Sequence, residues 1–454
     1  MANTFATINP FTETVIDTFT FQSTTEVDAT LNRASKAFAD WKNTSLSTRK
    51  RYIQAVREKL LTQRQDLAVL ITTEMGKPLR ESIAEVDKCA LLCDYYVAHA
   101  EQFLAVKEED FIDKHIRHTL SPTGVVFGIM PWNYPLWQVF RYAVPNLIAG
   151  NRVLLKHAPN TTGCSQVLQS LFDVPSFAEN IFQSLVIDID LVERVIAHPV
   201  VQGVCLTGSV GAGRSVGALA GKHLKKVVLE LGSADAFVIL NDASIDNALD
   251  ANFTSRTQNA GQACIAAKRT FVPQQKLQYA VDYLYEKLKA VQLGNPMEST
   301  THVGPISKKS FVGVLQEQVN KGVQHGAKRV IGAEAQGVFF KPGMIVTQSN
   351  NPVNEEEIFG PVINLIAYDS EQQLIEEVNG TNFGLAASVW SSDEEHALRV
   401  ANQIEAGSVV INDLMKSDPR IPFGGIKNSG FGREMGEAGL RSFLNEKPII
   451  MVKK

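Results

Sequence analysis

From Gly124 onward the chain alternates short apolar runs with stretches of helical period, and this alternation limits the fold more than any other feature. The runs are GVVFGI (124–129), RVLLKH (152–157), FQSLVI (182–187), GVCLT (203–207) and KKVVLE (225–230). Apolar runs of this length, separated by helices and short loops, are expected to be the buried strands of a parallel sheet with helices on both faces. A second set follows from about Ala234 to Asn412. Its strands are expected near 235–240, 269–272, 362–367, 386–390 and 408–412, and its helices near 245–258, 274–291 and 307–325. The expected fold class is α/β, with two doubly wound α/β domains of which the first has a nucleotide-binding layout.

The first third reads helical instead. Val27, Leu31, Ala34, Phe38 and Trp41 recur at helical spacing, and Ser23 with Glu26 forms a capping-box pattern just ahead of them. A second helix is expected from about Thr48 to Met75, closed by Gly76 and Pro78, and a third from about Arg80 to Phe103. Cys89 and Cys93 fall one turn apart on the third helix with no nearby His, so they read as packed thiols, and no metal site is expected. The tail RSFLNEKPIIMVKK carries a short apolar strand too isolated to stand alone. It is expected to pair with another element or another subunit.

Composition excludes several function classes. With 454 residues, 44% hydrophobic and 20% charged, and no biased tract, the chain has the make-up of a globular protein of two to four domains. Lys plus Arg number 44 against 48 Asp plus Glu, for a net charge of −4 without any like-charge block, so nucleic acid is not an expected partner. The charge-free stretch Thr119 to Phe140 has the 22 residues a membrane span needs, but Pro122, Pro131, Asn133 and Pro135 interrupt it. It reads as buried protein, and no membrane partner is expected. The N-terminal MANTFATINPFTETV lacks the basic start and apolar run of a signal peptide, and five cysteines are an odd set for a disulfide framework. The expected location is cytoplasmic, with each thiol either buried or reactive.

The chemistry-bearing candidates are scattered. Cys264 lies in QNAGQACIAAKR (258–269), and a lone Cys in such a run can be a small buried hydrophobe or a nucleophile. Glu230 ends a strand in VVLELG, where a carboxylate beside glycine can serve as a base or simply be solvated. Asn133, between Pro131 and Pro135 in GIMPWNYPLW, is an amide donor on a loop stiffened by two fixed φ angles, which suits an oxyanion site. LTGSVGAGR places Gly208 and Gly213 directly after the GVCLT strand, a turn whose free amides fit a pyrophosphate or equally a plain tight turn. Lys156 closes RVLLK at the carboxyl edge of the sheet, where such folds bind ligands.

Together these segments resemble the aldehyde dehydrogenase family. The matching motifs are PWNYP (131–135), GNRVLLK (150–156), TGS with Gly213 (207–213), LELG (229–232), GQAC (261–264), EEIFGPV (356–362), NFGLAA (382–387) and PFGGIKNSGFGRE (422–434). They run in the family's order at the family's spacings over nearly the whole chain. The resemblance implies an aldehyde dehydrogenase-like fold: residues 1–104 and 123–232 as the dinucleotide-binding domain, 233–430 as the catalytic domain, and 105–122 with 431–454 as a small β oligomerisation element. A homodimer or homotetramer is implied with it. Cys264 is the implied nucleophile and Glu230 the base that activates the hydrolytic water. The Asn133 amide and the Cys264 backbone N–H are the implied oxyanion donors.

The same resemblance implies NADP or NAD as cofactor. Lys156 would hold the adenosine ribose, Ser209 and the Gly208 turn the pyrophosphate, and Glu357 the nicotinamide ribose; Phe359 would pack near the nicotinamide, and Pro131, Trp132, Gly213 and Leu231 are further implied cofactor-binding residues. Many NAD-preferring members place a glutamate three residues after the ribose lysine; here that position is Pro159. Without a carboxylate to repel a 2′-phosphate, NADP is expected to be accepted. Ser233-Ala234 also stands where the family often has Gly-Lys. Arg141, eight residues after Asn133, and Ser417, five before Pro422, match the substrate-carboxylate residues of succinate-semialdehyde dehydrogenases. The position of a further arginine found in some of those enzymes is Gln258. Trp137 and Phe423 are expected to line the aldehyde pocket. The leading expectation is oxidation of succinate semialdehyde to succinate. The alternatives are another aliphatic or ω-carboxylated aldehyde such as glutarate semialdehyde, a cofactor-independent thiol hydrolase, and an idle binding protein on the same scaffold.

Overall fold

The computed structural model describes residues 3–453; Met1, Ala2 and Lys454, at the ends of the two terminal segments, lie outside the described residues. Five parallel strands build the first sheet: Val125–Met130, Arg152–His157, Phe182–Ser184, Val201–Thr207 and Lys226–Glu230. Val125–Met130 is central, with Arg152–His157 on one side and Val201–Thr207 on the other, so the winding direction reverses between the first and fourth of these strands. Loops leaving the carboxyl ends at such a reversal diverge and open a crevice. Here those loops begin with Pro131 and Gly208. The short Gly430–Phe431 adds an antiparallel edge beside Lys226–Glu230.

Four of the five expected runs form most of their length as strand, and FQSLVI stops at Ser184. Beyond it Leu185 and Ile187 remain buried, but Val186 bonds to Gln22 through backbone and side chain and leaves the ladder. An apolar run marks burial, which a strand and an irregular buried segment share.

The capping box at Ser23 is present: Glu26 N–H donates to Ser23 Oγ, and Ser23 N–H donates to Glu26 Oε2 at 2.7 Å. The helix expected over Thr48 to Met75 is instead two helices, Leu46–Thr62 and Arg64–Met75, meeting at Gln63. No Gly or Pro marks the break. It lets Tyr52, Ile53, Val56 and Leu60 from the first and Leu67, Ile71 and Met75 from the second all reach the core. The third helix runs Leu79–Phe103 and crosses over Trp137–Ala149. A hairpin, Thr4–Ile8 with Val15–Thr20, precedes all of them and was not expected.

The second sheet has seven strands in the order Lys328–Ile331, Gly343–Thr347, Val362–Tyr368, Arg269–Pro273, Ala236–Ile239, Ala386–Trp390 and Ser408–Ile411, with only the first antiparallel to its neighbour. The five expected strands are present. Lys328–Ile331, Gly343–Thr347 and the helices Glu371–Asn379 and Glu394–Ala401 were not expected. The amino ends of three central strands carry Ser233, Cys264 and Phe359 in the loops just before them. These loops face the carboxyl end of the first sheet.

The tail finds its partner within the chain: Leu444–Val452 pairs antiparallel with Lys114–Pro122, which in turn pairs with Lys107–Asp110. Among the described residues its outer edge has no partner strand, and Ile449, Ile450, Met451 and Val452 are exposed. Among the described residues no helix is long and apolar enough to cross a membrane.

Candidate active site

Cys264 follows three consecutive left-handed residues, Asn259 (φ 53°), Ala260 (φ 51°) and Gly261 (φ 70°). Two of these carry side chains, so the turn stores roughly 1–2 kcal/mol per residue and needs outside restraint. Asn259 N–H donates to Glu81 Oε2 at 2.7 Å, and its Nδ2 donates to the carbonyls of Asn133 (2.9 Å) and Gln262 (3.1 Å). Gln262 Oε1 accepts Ser307 N–H at 3.1 Å. A Cβ on Gly261 would lie 2.2 Å from the carbonyl oxygen of Gly360, so only glycine lets this turn close onto the 356–362 loop. That loop is itself held by buried Arg256, which donates to the carbonyls of Val362 (2.8 Å), Ile358 (3.1 Å) and Gly360.

Whereas Cys89, Cys93, Cys164 and Cys205 are fully buried, Cys264 is partly buried as a residue. Burial of its surroundings pushes the thiol up to about 11, against the pull of Lys268 and Arg141. Asn133 reaches the same turn, its Nδ2 donating to the Gln262 carbonyl at 3.0 Å. Its other amide hydrogen and the Cys264 backbone N–H have no partner among the described residues. Ser233, whose effect the sequence leaves open, donates its hydroxyl to the Cys264 carbonyl and accepts Lys268 Nζ at 2.9 Å. Lys268 Nζ also donates to the carbonyls of Cys264 and Ala263. The nucleophile loop is therefore fastened from below by a buried ammonium and a hydroxyl.

Cys264 lies in the wall between two cavities. One is lined by Trp137, Arg141, Ser417 and Phe423, with Lys88 and Gln258. The helix Trp137–Ala149 presents Trp137 and Arg141 to it, and its amino end is pinned by Glu85, whose Oε1 accepts the N–H groups of Leu136 (2.8 Å) and Trp137 (2.9 Å). Glu85 is held in turn by Lys77 at 2.6 Å. The arrangement of Arg141 differs from the expected free cation: its Nη2 is 2.6 Å from Glu434 Oε2, and its guanidinium stacks on Phe423 at 4.8 Å. A buried guanidinium without a counterion would be costly, and Glu434 supplies one.

The other cavity brings together Pro131, Trp132, Asn133 and Leu231 with Glu357 and Phe359, and is reached also by Gly208 and Ser209. Glu357 Oε1 accepts Ser233 N–H at 3.1 Å and lies 3.3 Å from Lys268 Nζ. Phe359 meets Trp132 edge-on at 5.8 Å. Ser209 caps the helix Val210–Lys222, its Oγ accepting Ala212 N–H at 3.2 Å. The amides of Gly208 and Gly213 are not free, as the sequence had them: they donate to the carbonyls of Glu230 and Ser209, both at 2.9 Å. The open donors are those of Val210 and Gly211 at the helix start. Gly213 serves packing, since a Cβ there would lie 2.4 Å from Leu231 Cδ1. Lys156 is buried at its strand end without an ion pair, and burial lowers its pKa. Next to Pro159, both amide atoms of the buried Asn160 lack partners.

Glu230 closes the strand Lys226–Glu230, outside both cavity linings. Both carboxylate oxygens are buried without a hydrogen bond, with Oε1 set against Gly424. Burial and the neighbouring Glu434 raise its pKa well above the usual range. Residues missed from sequence are Glu85, Lys88, Asn259, Gln262 and Lys268. For Glu85 and Lys88 a signal existed: charged residues three apart on the helix stripe that carries Val86, Cys89 and Leu92. Among the described residues no group of three His, Cys, Asp or Glu side chains could hold a metal ion.

Residues 1–449 match the family model described as aldehyde dehydrogenase family. A succinate-semialdehyde dehydrogenase of the NADP(+) kind from Deinococcus radiodurans is 39% identical over 449 residues, covering 98% of this chain and 94% of that protein. The crystal structure of succinic semialdehyde dehydrogenase from Streptococcus pyogenes in complex with NADP+ superposes with a TM-score of 0.97 at 37% identity, over 99% of this chain and all of that one. A succinate-semialdehyde dehydrogenase structure from Burkholderia pseudomallei gives 0.96 at 28% identity, covering 99% and 95% of the two chains.

Proposed function

The chain belongs to the aldehyde dehydrogenase family, and from that premise we propose that it oxidises succinate semialdehyde to succinate with NADP as hydride acceptor. The observation that carries the reading is the place of Cys264, in the wall shared by a cavity with cationic lining and a cavity at the winding reversal of the first sheet. The NADP(+) succinate-semialdehyde dehydrogenases among its relatives support the substrate and the cofactor.

Cys264, as thiolate, adds to the aldehyde carbon, and the negative oxygen so formed is received by the free Asn133 amide hydrogen and the Cys264 N–H. Bound NADP would supply the acceptor for the hydride that this carbon releases as its C=O bond re-forms. Water then cleaves the thioester left on Cys264, and Glu230 takes the proton from it. Burial against Gly424 raises its pKa and favours the protonated form, so the carboxyl serves as base once it turns from Gly424 toward the thioester and its water. Trp137 and Phe423 wall the approach of the aldehyde, and Arg141 and Ser417 make its far end electropositive and hydrogen-bonding.

The residues fit a dinucleotide with a 2′-phosphate: among the described residues Lys156 is a buried cation in no close ion pair and the amide of Asn160 is unpartnered, and Pro159 brings no carboxylate. Lys156 holds the adenosine ribose end. Ser209 with the Val210 and Gly211 amides holds the pyrophosphate, and Gly208 and Gly213 keep that turn tight. Glu357 takes the nicotinamide ribose, and Pro131, Trp132, Leu231 and Phe359 border the ring. In this reading residues 1–104 and 123–232 bind the dinucleotide and 233–430 carry the nucleophile. The segments 105–122 and 431–454 join copies of the chain into a dimer or tetramer in the cytoplasm.

The test is a panel of succinate semialdehyde, glutarate semialdehyde and butanal, each with NADP and NAD, reading reduced nicotinamide for wild type and Cys264→Ala. Succinate semialdehyde with NADP is expected to give the highest kcat/KM, and Cys264→Ala no turnover. Faster oxidation of butanal would overturn the substrate, and a tenfold preference for NAD would overturn the cofactor.

A further inference from the structure

The cavity beside Cys264 holds a cation that neither the sequence motifs nor the reading above uses. Lys88 enters it from the middle of the helix Leu79–Phe103. Its Nζ donates to Ser417 Oγ at 2.8 Å and lies 4.5 Å from the centre of the Trp137 ring. No carboxylate among the described residues forms an ion pair with it. Arg141 in the same wall already has Glu434 at 2.6 Å.

Ser417 completes the arrangement. Its Oγ accepts from Lys88 Nζ and also from Trp137 Nε1 at 3.0 Å. With both lone pairs engaged, the hydroxyl can only donate its own hydrogen outward. An ammonium with hydrogens to spare and a hydroxyl restricted to donating therefore meet at one point of a cavity whose other wall is the nucleophile. That is a site for an anionic oxygen pair.

Building on the succinate semialdehyde reading, we propose that Lys88, with Ser417, is the residue that binds the distal carboxylate of the aldehyde. Arg141 adds positive potential behind them while it remains paired to Glu434. The position of the second arginine of some succinate-semialdehyde dehydrogenases is Gln258 here, on the same cavity. Lys88 supplies the charge from a different helix.

Burial, then Arg141, brings the Lys88 ammonium down to about 8. The groups that face it are Glu85 and Cys89 on its own helix, Arg141 on the helix Trp137–Ala149, and Asp418 beside Ser417. Lys416, Glu81 and Cys264 border the same cavity. The carboxylate of the substrate stays ionised through this range, so the charge that binds it is lost as pH rises past the lysine.

The experiment compares succinate semialdehyde with butanal, its neutral analogue, on wild type, Lys88→Met and Lys88→Arg. In Lys88→Met, KM for succinate semialdehyde is expected to rise about 10- to 100-fold with kcat little changed, the loss of one charge-assisted contact. Activity on butanal should stay within about threefold, and Lys88→Arg should recover most of the loss. The ratio of the two kcat/KM values cancels the titration of groups common to both reactions. It should fall above about pH 8 in wild type and stay level in Lys88→Arg. An unchanged KM in Lys88→Met, equal losses on both aldehydes, or a ratio level with pH in wild type would each overturn the role of Lys88. A wild type that still prefers succinate semialdehyde would leave the broader reading standing, and one that prefers butanal would remove both.

Discussion

Arg141 Nη2 lies 2.6 Å from Glu434 Oε2, and both side chains are almost wholly shielded from water. Glu434 also accepts the Cys205 thiol at 3.0 Å and sits within electrostatic range of Glu230. Removing Arg141 leaves a buried carboxylate beside another. Arg141→Ala is therefore expected to destabilise the protein by about 3–5 kcal/mol, seen as a lower melting temperature. The double variant Arg141→Met with Glu434→Gln should regain most of that loss. A melting temperature unchanged in the single variant would mean the pair carries no weight.

Gly261 and Gly337 separate backbone strain from close approach. Both have positive φ, 70° and 64°, but a Cβ at Gly337 meets nothing within 4 Å whereas one at Gly261 lies 2.2 Å from Gly360 O. Gly337→Ala should cost about 1–2 kcal/mol and leave activity intact. Gly261→Ala should in addition lower kcat/KM by roughly 100-fold, because it displaces the Cys264 turn. Equal kinetics for the two variants would contradict this.

The Cys264 thiol, pushed up to about 11 by burial, is almost entirely protonated at neutral pH. Its alkylation by iodoacetamide should speed up roughly tenfold per pH unit between 7 and 10, since only thiolate reacts. Lys268→Gln removes a charge that favours thiolate and should slow the reaction at every pH. Mass spectrometry of the labelled peptides checks both, with the four buried cysteines unlabelled. A rate level across that pH range would place the thiolate form much lower.

Pro159 opens a short 3₁₀ turn beside Lys156. Pro159→Glu should raise KM for NADP by at least about tenfold through like-charge repulsion with the 2′-phosphate, while NAD is held as well or better. Steady-state kinetics with both cofactors decides it, and equal effects on the two would argue for damage to the turn alone.

Glu230→Gln should separate the two half-reactions. Oxidation needs the thiol, and hydrolysis needs the base, so this variant should release about one equivalent of reduced nicotinamide in a burst and then turn over slowly. Loss of the burst itself would assign Glu230 to the first step.

The two sheets were readable because apolar runs such as RVLLKH and GVCLT are buried on both faces and need no partner to be recognised. Gly343–Thr347 went unseen because it is brief, follows Lys341 and Pro342 and opens on a glycine. The break at Gln63 carries no Gly or Pro; it lets the apolar stripes of two helices pack on the same helix, Leu79–Phe103, in one core. At the site, motifs singled out Cys264, Asn133 and Glu357, and the fold brings these three to one cavity. The placement of the Glu230 carboxyl against Gly424 was not legible, since a side-chain torsion is set by what surrounds it. The role of Ser233 emerged only once Lys268 was placed beneath the Cys264 carbonyl.

The amino-acid sequence alone determined the alternation of buried strands and helices, the cap at Ser23 and the residue types present at each loop end, since local periodicity and backbone preference act over a few positions. Tertiary structure alone decided which charges are free. Lys88 and Ser417 are 329 positions apart and meet at 2.8 Å, and Arg141 lost its freedom to Glu434 in the same way. Whether a cation keeps its charge for a ligand depends on the carboxylates nearest in space, and chain distance carries no record of those.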